Sequence, residues 1–234
     1  HHEVISFFNE VFSLIARTGG QTNHLLWKKS ESLLIFPEVE ELCLGYAGQS
    51  TKGSGSGRGF SELITSALWE AVEAGIMELS HFEEVGILRT GIGADRISDI
   101  TANILRHRFT TYTQAVCRKH NIPTSRVIVG RGVYNAEFRR WMPLESDLPQ
   151  NRYNGHPILL CPVKYLRDLP TISAENFWDF CYDNENEILR NDYGMDITRN
   201  VDKKTIVDFA RRHPDLRKEF IEQTEEEQPI PYDY

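Results

Sequence analysis

The chain has 234 residues, of which 40% are hydrophobic, 11% aromatic and 26% charged, with a formal net charge of −8. That apolar content can fill a buried core and is too high for a disordered chain. The acidity argues against a protein that coats nucleic acid by charge alone, and no apolar run reaches the roughly 20 residues of a membrane-spanning helix.

Residues 4–17 set Val4, Phe7, Phe8, Val11, Phe12 and Ile15 at helical spacing, and Gly19-Gly20 ends that helix. Residues 24–36 fit either a helix or short paired strands, and residues 42–46 read as a short buried strand. A glycine- and serine-rich stretch at 48–59 precedes a helix over about 61–77. A second helix near 80–89 leads into Gly91-Ile92-Gly93-Ala94-Asp95-Arg96-Ile97-Ser98-Asp99, which opens a long helix over about 95–120. Asn121-Ile122-Pro123 stops it, because proline cannot continue a helix and restricts the residue before it. Residues 126–130 and 158–163 are rich in β-branched side chains and read as strands, with a loop-like stretch at 135–156 between them. Ser173 caps a helix to about residue 190, and a last helix starts near Asp202 and bends or breaks at Pro214. The pattern gives an α/β class, with a helix-rich α+β variant, in which a small mixed sheet is flanked by helices. Residues 3–228 form one globular unit, and 229–234 a tail or linker leading towards something further.

The cysteines at 43, 117, 161 and 181 are widely spaced, without a CxxC pair. They read as free thiols in a reducing compartment, so the expected location is cytoplasmic, with no membrane partner.

Two segments concentrate polar chemistry. The first is the glycine-rich stretch with Lys52, Gly53, Gly55, Gly57 and Arg58, set between a strand and a helix. Backbone amides and a helix N-terminus in that order can cradle a phosphate. The spacing matches neither GxxxxGK[ST] nor GxGxxG, and a mobile surface loop has the same composition. The second is the helix start with Asp95, Arg96 and Asp99. At 100° per residue, Asp95, Asp99, Asn103, Arg106, Thr110 and Thr113 share a stripe roughly 80° wide. The stripe could line a cleft in which Asp95 and Asp99, with Asn103 in reach, hold Mg²⁺ beside a phosphate. The plainer account makes Asp95 the helix cap, lets Asp99 favour the dipole, and turns the stripe to water.

Lys164 ends the strand expected at 158–163. Metal-dependent nucleases place a lysine there, two residues after an acid, but Pro162 holds the acid position. Asp95, Asp99 and Lys164 are thus the catalytic candidates if the chain is an enzyme. Phe177, Trp178, Phe180 and Tyr182 read as core packing rather than a base-stacking platform.

Residues 91–99 with Tyr112-Thr113-Gln114, the run Pro157-Ile158-Leu159-Leu160-Cys161-Pro162-Val163-Lys164 with Leu169-Pro170, and Phe177-Trp178-Asp179 together resemble an uncharacterised bacterial family. The resemblance spans roughly residues 30–233. In that family an N-terminal region precedes a C-terminal nuclease domain of the PD-(D/E)XK type. It implies that this chain is the N-terminal part of a defence-type protein directed at DNA, binding nucleic acid or a partner while the nuclease domain or a partner subunit supplies the chemistry. The nuclease motif itself is absent from these residues.

Three functions therefore compete: the DNA-directed domain, a phosphate-ligand module or metal-dependent phosphohydrolase, and a structural oligomerisation domain. A face shared by Arg106, Arg108, Arg126 and Arg131 would favour the first. Convergence of residues 53–59 with Asp95 and Asp99 would favour the second. An exposed apolar patch without a pocket would favour the third.

Overall fold

Seven apolar side chains of α1 (His2–Ala16), from Val4 to Ile15, are buried and start the main core. The computed structural model describes residues 2–43, 57–76, 78–79, 81, 83–88, 94–166, 172–184, 186–193 and 198–226, without the side chains of 94, 95, 186 and 193. The tail at 229–234 lies outside them. After α1 the chain turns at Gly19 and Gly20, both at positive φ. A Cβ on Gly20 would lie 2.7 Å from the Trp69 ring, so the turn needs glycine there.

Residues 24–36 resolve in favour of a helix, α2 (Leu25–Leu33), whose first turn is capped by the His24 ring accepting from the Leu26 amide at 3.1 Å. Trp27 and Leu33 bury one face of α2 against α1 and α3 (Arg58–Glu73), which adds Ile64, Leu68 and Ala71. The strand expected at 42–46 is instead, in its described part, the end of a 3₁₀ turn at Glu40–Leu42, closed by Cys43 in the left-handed region. There the Leu42 and Cys43 amides bond back to Val39 and Glu40, which leaves no extended backbone to pair.

The buried helix α4 (Glu84–Leu88) lies within the expected 80–89 span. The long helix expected over 95–120 is two, α5 (Ala94–Ile104) and α6 (Arg106–His120), interrupted at Leu105. Ile97, Ile100 and Ile104 face the α1 core. Asn121 ends α6 in the left-handed region, and the Ile122 amide reaches back 2.9 Å to the Cys117 carbonyl. That is the 6→1 bond of a Schellman stop, and Pro123 follows it.

Among the described residues the strands form two antiparallel pairs rather than one mixed sheet. β1 (Ser125–Ile128) pairs with β4 (Glu145–Leu148), Arg126 opposite Asp147. The hairpin of β2 (Val133–Asn135) and β3 (Arg140–Met142) is nested between them, and β3 and β4 lie inside the 135–156 stretch expected to be loop. Val129, Leu148 and Leu159 join Val39, Leu42 and Phe109 of α6 in a second apolar cluster. Residues 158–163 are not a strand. Pro157 and Pro162 lack the amides a ladder needs, and the Leu159 and Leu160 amides go to the Glu41 carbonyl (2.7 Å) and the Thr113 hydroxyl (2.8 Å).

Among the described residues four further helices follow: α7 (Ala174–Asn184), α8 (Asn186–Tyr193), α9 (Lys203–Arg212) and α10 (Pro214–Glu226). Ser173 accepts the Asn176 amide, so the expected cap forms, and Asp202, near which the last helix was expected to start, accepts the Thr205 amide. Pro214 takes the first position of α10, where its missing N–H costs nothing. Phe177, Trp178 and Phe180 pack in a third cluster with Phe209 and Phe220, with Tyr182 against it, as core rather than stacking platform. The result is a helix-rich chain with a small strand set, within the expected class.

Candidate functional site

The polar stripe on α5 and α6 does not face water. Asn103 is 0% exposed, Arg106 1%, Thr110 5% and Thr113 0%. Buried polar groups must find partners, and here they find them across the chain. The Asn103 amide nitrogen donates to the Pro37 carbonyl (2.6 Å) and to the Asp99 carbonyl (2.8 Å), while its oxygen accepts from Arg106 Nη2 (3.1 Å). Arg106 Nη1 stands 3.5 Å from the Glu41 carboxylate. Nε and Nη1 of Arg106 have no hydrogen-bond partner among the described residues. Burial pulls the Arg106 pKa down and Glu41 pulls it back up.

Gly130 lets this guanidinium in. A Cβ at Gly130, which sits at φ +36°, would lie 1.6 Å from Arg106 Nη1. The neighbouring Arg131 donates to the Ser32 carbonyl at 2.6 Å and to the Ile35 carbonyl, and lies 4.8 Å over the Trp141 ring. Trp141 Nε1 donates to the Leu33 carbonyl at 3.0 Å. Arg131 and Trp141 thus cover the carbonyl end of α2, where a helix favours positive charge. Burial, followed by the nearby Arg106, brings the Arg131 pKa down to about 10. Neither glycine nor the Glu41 carboxylate stood out in the sequence. The Gly130-Arg131-Gly132 triplet between two strands was the available signal.

The second polar place is the start of α3. Gly57 is its cap and brings no side chain to the amides, the first turn holds no acid, and Gly57, Arg58 and Gly59 are exposed. The Phe60 and Ser61 amides bond to the Gly57 carbonyl. The preceding amides of Arg58 and Gly59 belong to the orphan donors that every helix start leaves. Arg96, in the first turn of α5, lies 4.5 Å over the Phe60 ring. This cation–π contact links a first-turn side chain of α5 to one of α3.

The predicted site residues fall as follows. Gly57, Arg58 and Arg96 share this corner, and Asp99 stands half-buried on α5 one turn further on. Lys52, Gly53, Gly55 and the Asp95 side chain lie outside the described residues. Asn103 has both amide hydrogens committed internally. Lys164 occupies an exposed 3₁₀ turn, Val163–Tyr165, with its ammonium 4.9 Å from the Tyr165 ring, rather than a strand end. Among the described residues no group of three His, Cys, Asp or Glu side chains could hold a metal ion. The Mg²⁺ site expected at Asp95 and Asp99 turns on the Asp95 side chain, which lies outside the described residues.

The four arginines of the basic middle do not share a face. Arg106 is buried, Arg131 is bonded to carbonyls, Arg108 pairs with Glu3, and Arg126 lies 3.6 Å from both Glu145 and Asp147.

The model of a domain of unknown function, DUF8370, matches residues 1–173. The chain belongs to the DUF8370 family. That span takes in the three-helix core, the polar stripe, the α3/α5 corner and both strand pairs, and stops where α7 begins. No curated protein and no solved structure matches the chain.

Proposed function

We propose that this DUF8370 chain is a phosphate-ligand module whose site is the corner between the starts of α3 and α5. The observation that carries the reading is the Arg96–Phe60 contact, which links a first-turn side chain of α5 to one of α3. A helix start carries the positive end of its dipole and unbonded amides that suit an anion. At α3 neither an acid nor a capping side chain competes for them, and Arg58 adds charge. Lys52, Gly53 and Gly55 precede that start in sequence and lie outside the described residues. Arg96 supplies a planar guanidinium, which matches phosphate geometry with paired donors. Asp99 favours the α5 dipole on this reading, and Lys164 has no part in it.

The resemblance to nuclease-associated defence proteins suggests where such a phosphate would come from. A DNA backbone and a mononucleotide present the same chemistry, and the pairing of Arg108 and Arg126 with acids speaks against binding DNA over a broad basic face. Thermal melting with pyrophosphate, ATP and a short single-stranded DNA tests the assignment. The expected result is stabilisation by pyrophosphate and ATP that is lost in Arg58→Ala and Arg96→Ala. Stabilisation by the oligonucleotide alone would return the chain to the DNA-directed class. No stabilisation by any of the three would overturn the phosphate reading.

A further inference from the structure

One end of the β1–β4 ribbon gathers positive charge without acids. Ser125 pairs with Leu148, so the segment that leads from α6 into β1 and the hairpin that follows β4 leave the ribbon at the same end. The Gln114 amide nitrogen of α6 donates to the Ser146 hydroxyl of β4 at 2.8 Å, and the Thr113 hydroxyl accepts the Leu160 amide, beyond the hairpin, at 2.8 Å. Arg118, Lys119 and His120 form the last turn of α6, Arg152 and His156 stand on the hairpin, and all five are exposed. Neither residues 118–124 nor residues 148–157 contain Asp or Glu, in a chain whose 34 acids outnumber its 26 lysines and arginines. Among the described residues Arg108, Arg126, Arg139 and Arg199 each have a carboxylate partner, whereas Arg118, Lys119 and Arg152 have none.

The hairpin backbone is fixed by its own hydrogen bonds. The Asn151 amide donates to the His156 carbonyl at 2.8 Å, and the Gly155 amide returns to the Asn151 carbonyl at 2.8 Å. The Asn151 and Asn154 side chains accept the Tyr153 amide at 2.9 Å and the His156 amide at 3.0 Å. This framework presents Tyr153 100% exposed, so its ring adds no burial to the fold. The dipole of α6 accounts for basic residues in its last turn. It does not account for Arg152 or for the bare ring beside it.

We propose that this end of the ribbon is a docking surface for single-stranded nucleic acid, with Tyr153 stacking on a base and Arg118, Lys119 and Arg152 meeting backbone phosphates. Single-strand binders combine these two elements, cations that follow the backbone and an aromatic ring that takes a base. In a duplex the base faces are covered by their neighbours, so a stacking ring selects an open strand. A protein partner would call for an apolar centre, and residues 150–156 hold no aliphatic side chain. The surface is compact, it leaves out Arg108 and Arg126, and it shares no residue with the α3/α5 corner, so the inference does not rest on the phosphate reading.

Fluorescence anisotropy of the full chain with a short labelled oligothymidylate tests it. Tyr153→Ala should weaken binding at least about fivefold, the lower end of what one stacked base contributes, and Tyr153→Phe, which keeps the ring, should stay within twofold. Three phosphate contacts on a single strand give a slope of about −2 for log affinity against log salt, and Arg152→Ala or Lys119→Ala should each reduce it by about 0.7. Arg199→Ala removes a charge that already faces Asp179 and Asp183, and should leave affinity within twofold. All these side chains are exposed, so the melting temperatures should match that of the unaltered chain. Equal binding by Tyr153→Ala and the unaltered chain, or no binding by the unaltered chain, would overturn the proposal. So would oligoglutamate binding more tightly than oligothymidylate, which would make the partner an acidic protein segment. Pyrophosphate binding at the corner should be the same in Tyr153→Ala, so the two readings fail separately.

Discussion

His81 is held neutral by its surroundings. Burial lowers its pKa from 6.5 to about 4. Its Nδ1 accepts the Glu83 amide at 3.2 Å, its own amide donates to the Glu84 carboxylate at 2.6 Å, and Glu225 stands 3.9 Å from Nε2. The folded chain therefore binds fewer protons at this site than the unfolded chain between pH 6.5 and 4. The stability this contributes is complete above pH 6.5 and is lost as pH falls towards 4, on the order of 2–3 kcal/mol in all. Glu83 acts in the opposite direction, because burial raises its pKa and its protonation favours the fold. The difference between the unaltered chain and His81→Gln isolates the imidazole. Urea unfolding from pH 7 to 4 should give a shallower loss in the variant, and parallel curves would remove His81 from the account.

At the scale of elements, α4 is the piece both halves share. Val85 and Leu88 belong to the α1–α3 core, and Ile87 to the core of α7–α10. Between them Glu84, 2% exposed, takes the Arg217 Nε of α10 at 3.1 Å. Removing one member of such a pair leaves a charge without its counter-ion, so Arg217→Met should cost about 3–5 kcal/mol. The Arg217→Met/Glu84→Leu double variant should recover much of that loss, and strictly additive losses in urea unfolding would show that the two do not act as a pair. Several elements were legible because their signals are local. The α1 face, the Ser173 cap, the helix start near Asp202, the Asn121-Ile122-Pro123 stop and the break at Pro214 all act within a turn or two. The burial of the α5–α6 stripe was not legible. Periodicity shows that Asn103, Arg106 and Thr113 share a face, but the groups that cover it, the Pro37 carbonyl and the Leu160 amide, lie 66 and 47 residues away from their partners. The strand expected at 158–163 failed for a related reason. Its β-branched composition was visible, while the side-chain and turn acceptors that take its amides were not.

For the whole molecule, the family match ends at residue 173 while the packing continues past it. Arg211 of α9 donates to Glu70 of α3 at 2.5 Å and to the Leu88 carbonyl at 2.7 Å, which adds to the Arg217–Glu84 pair. A chain ended at residue 173 would expose Ile87 and strip the counter-ion from Glu84, and should melt at a lower temperature while binding a hydrophobic dye. A melting transition equal to that of the full chain would mean that α7–α10 contribute nothing to the fold of the family region. The corner also links the sequence to the whole. Residues 53–59 and 91–99 were two separate candidate segments, and Arg96 of the second meets Phe60, the residue that follows the first. The sequence could not show that junction, because nothing local to either segment records it. The most direct test of a phosphate site there is an amide-resolved NMR titration of the full chain with pyrophosphate. The account predicts saturable shifts at the amides of Gly57, Arg58, Gly59 and Phe60 and in the first turn of α5 at Arg96 and Ile97. Shifts confined to other parts of the chain, or none at all, would contradict it.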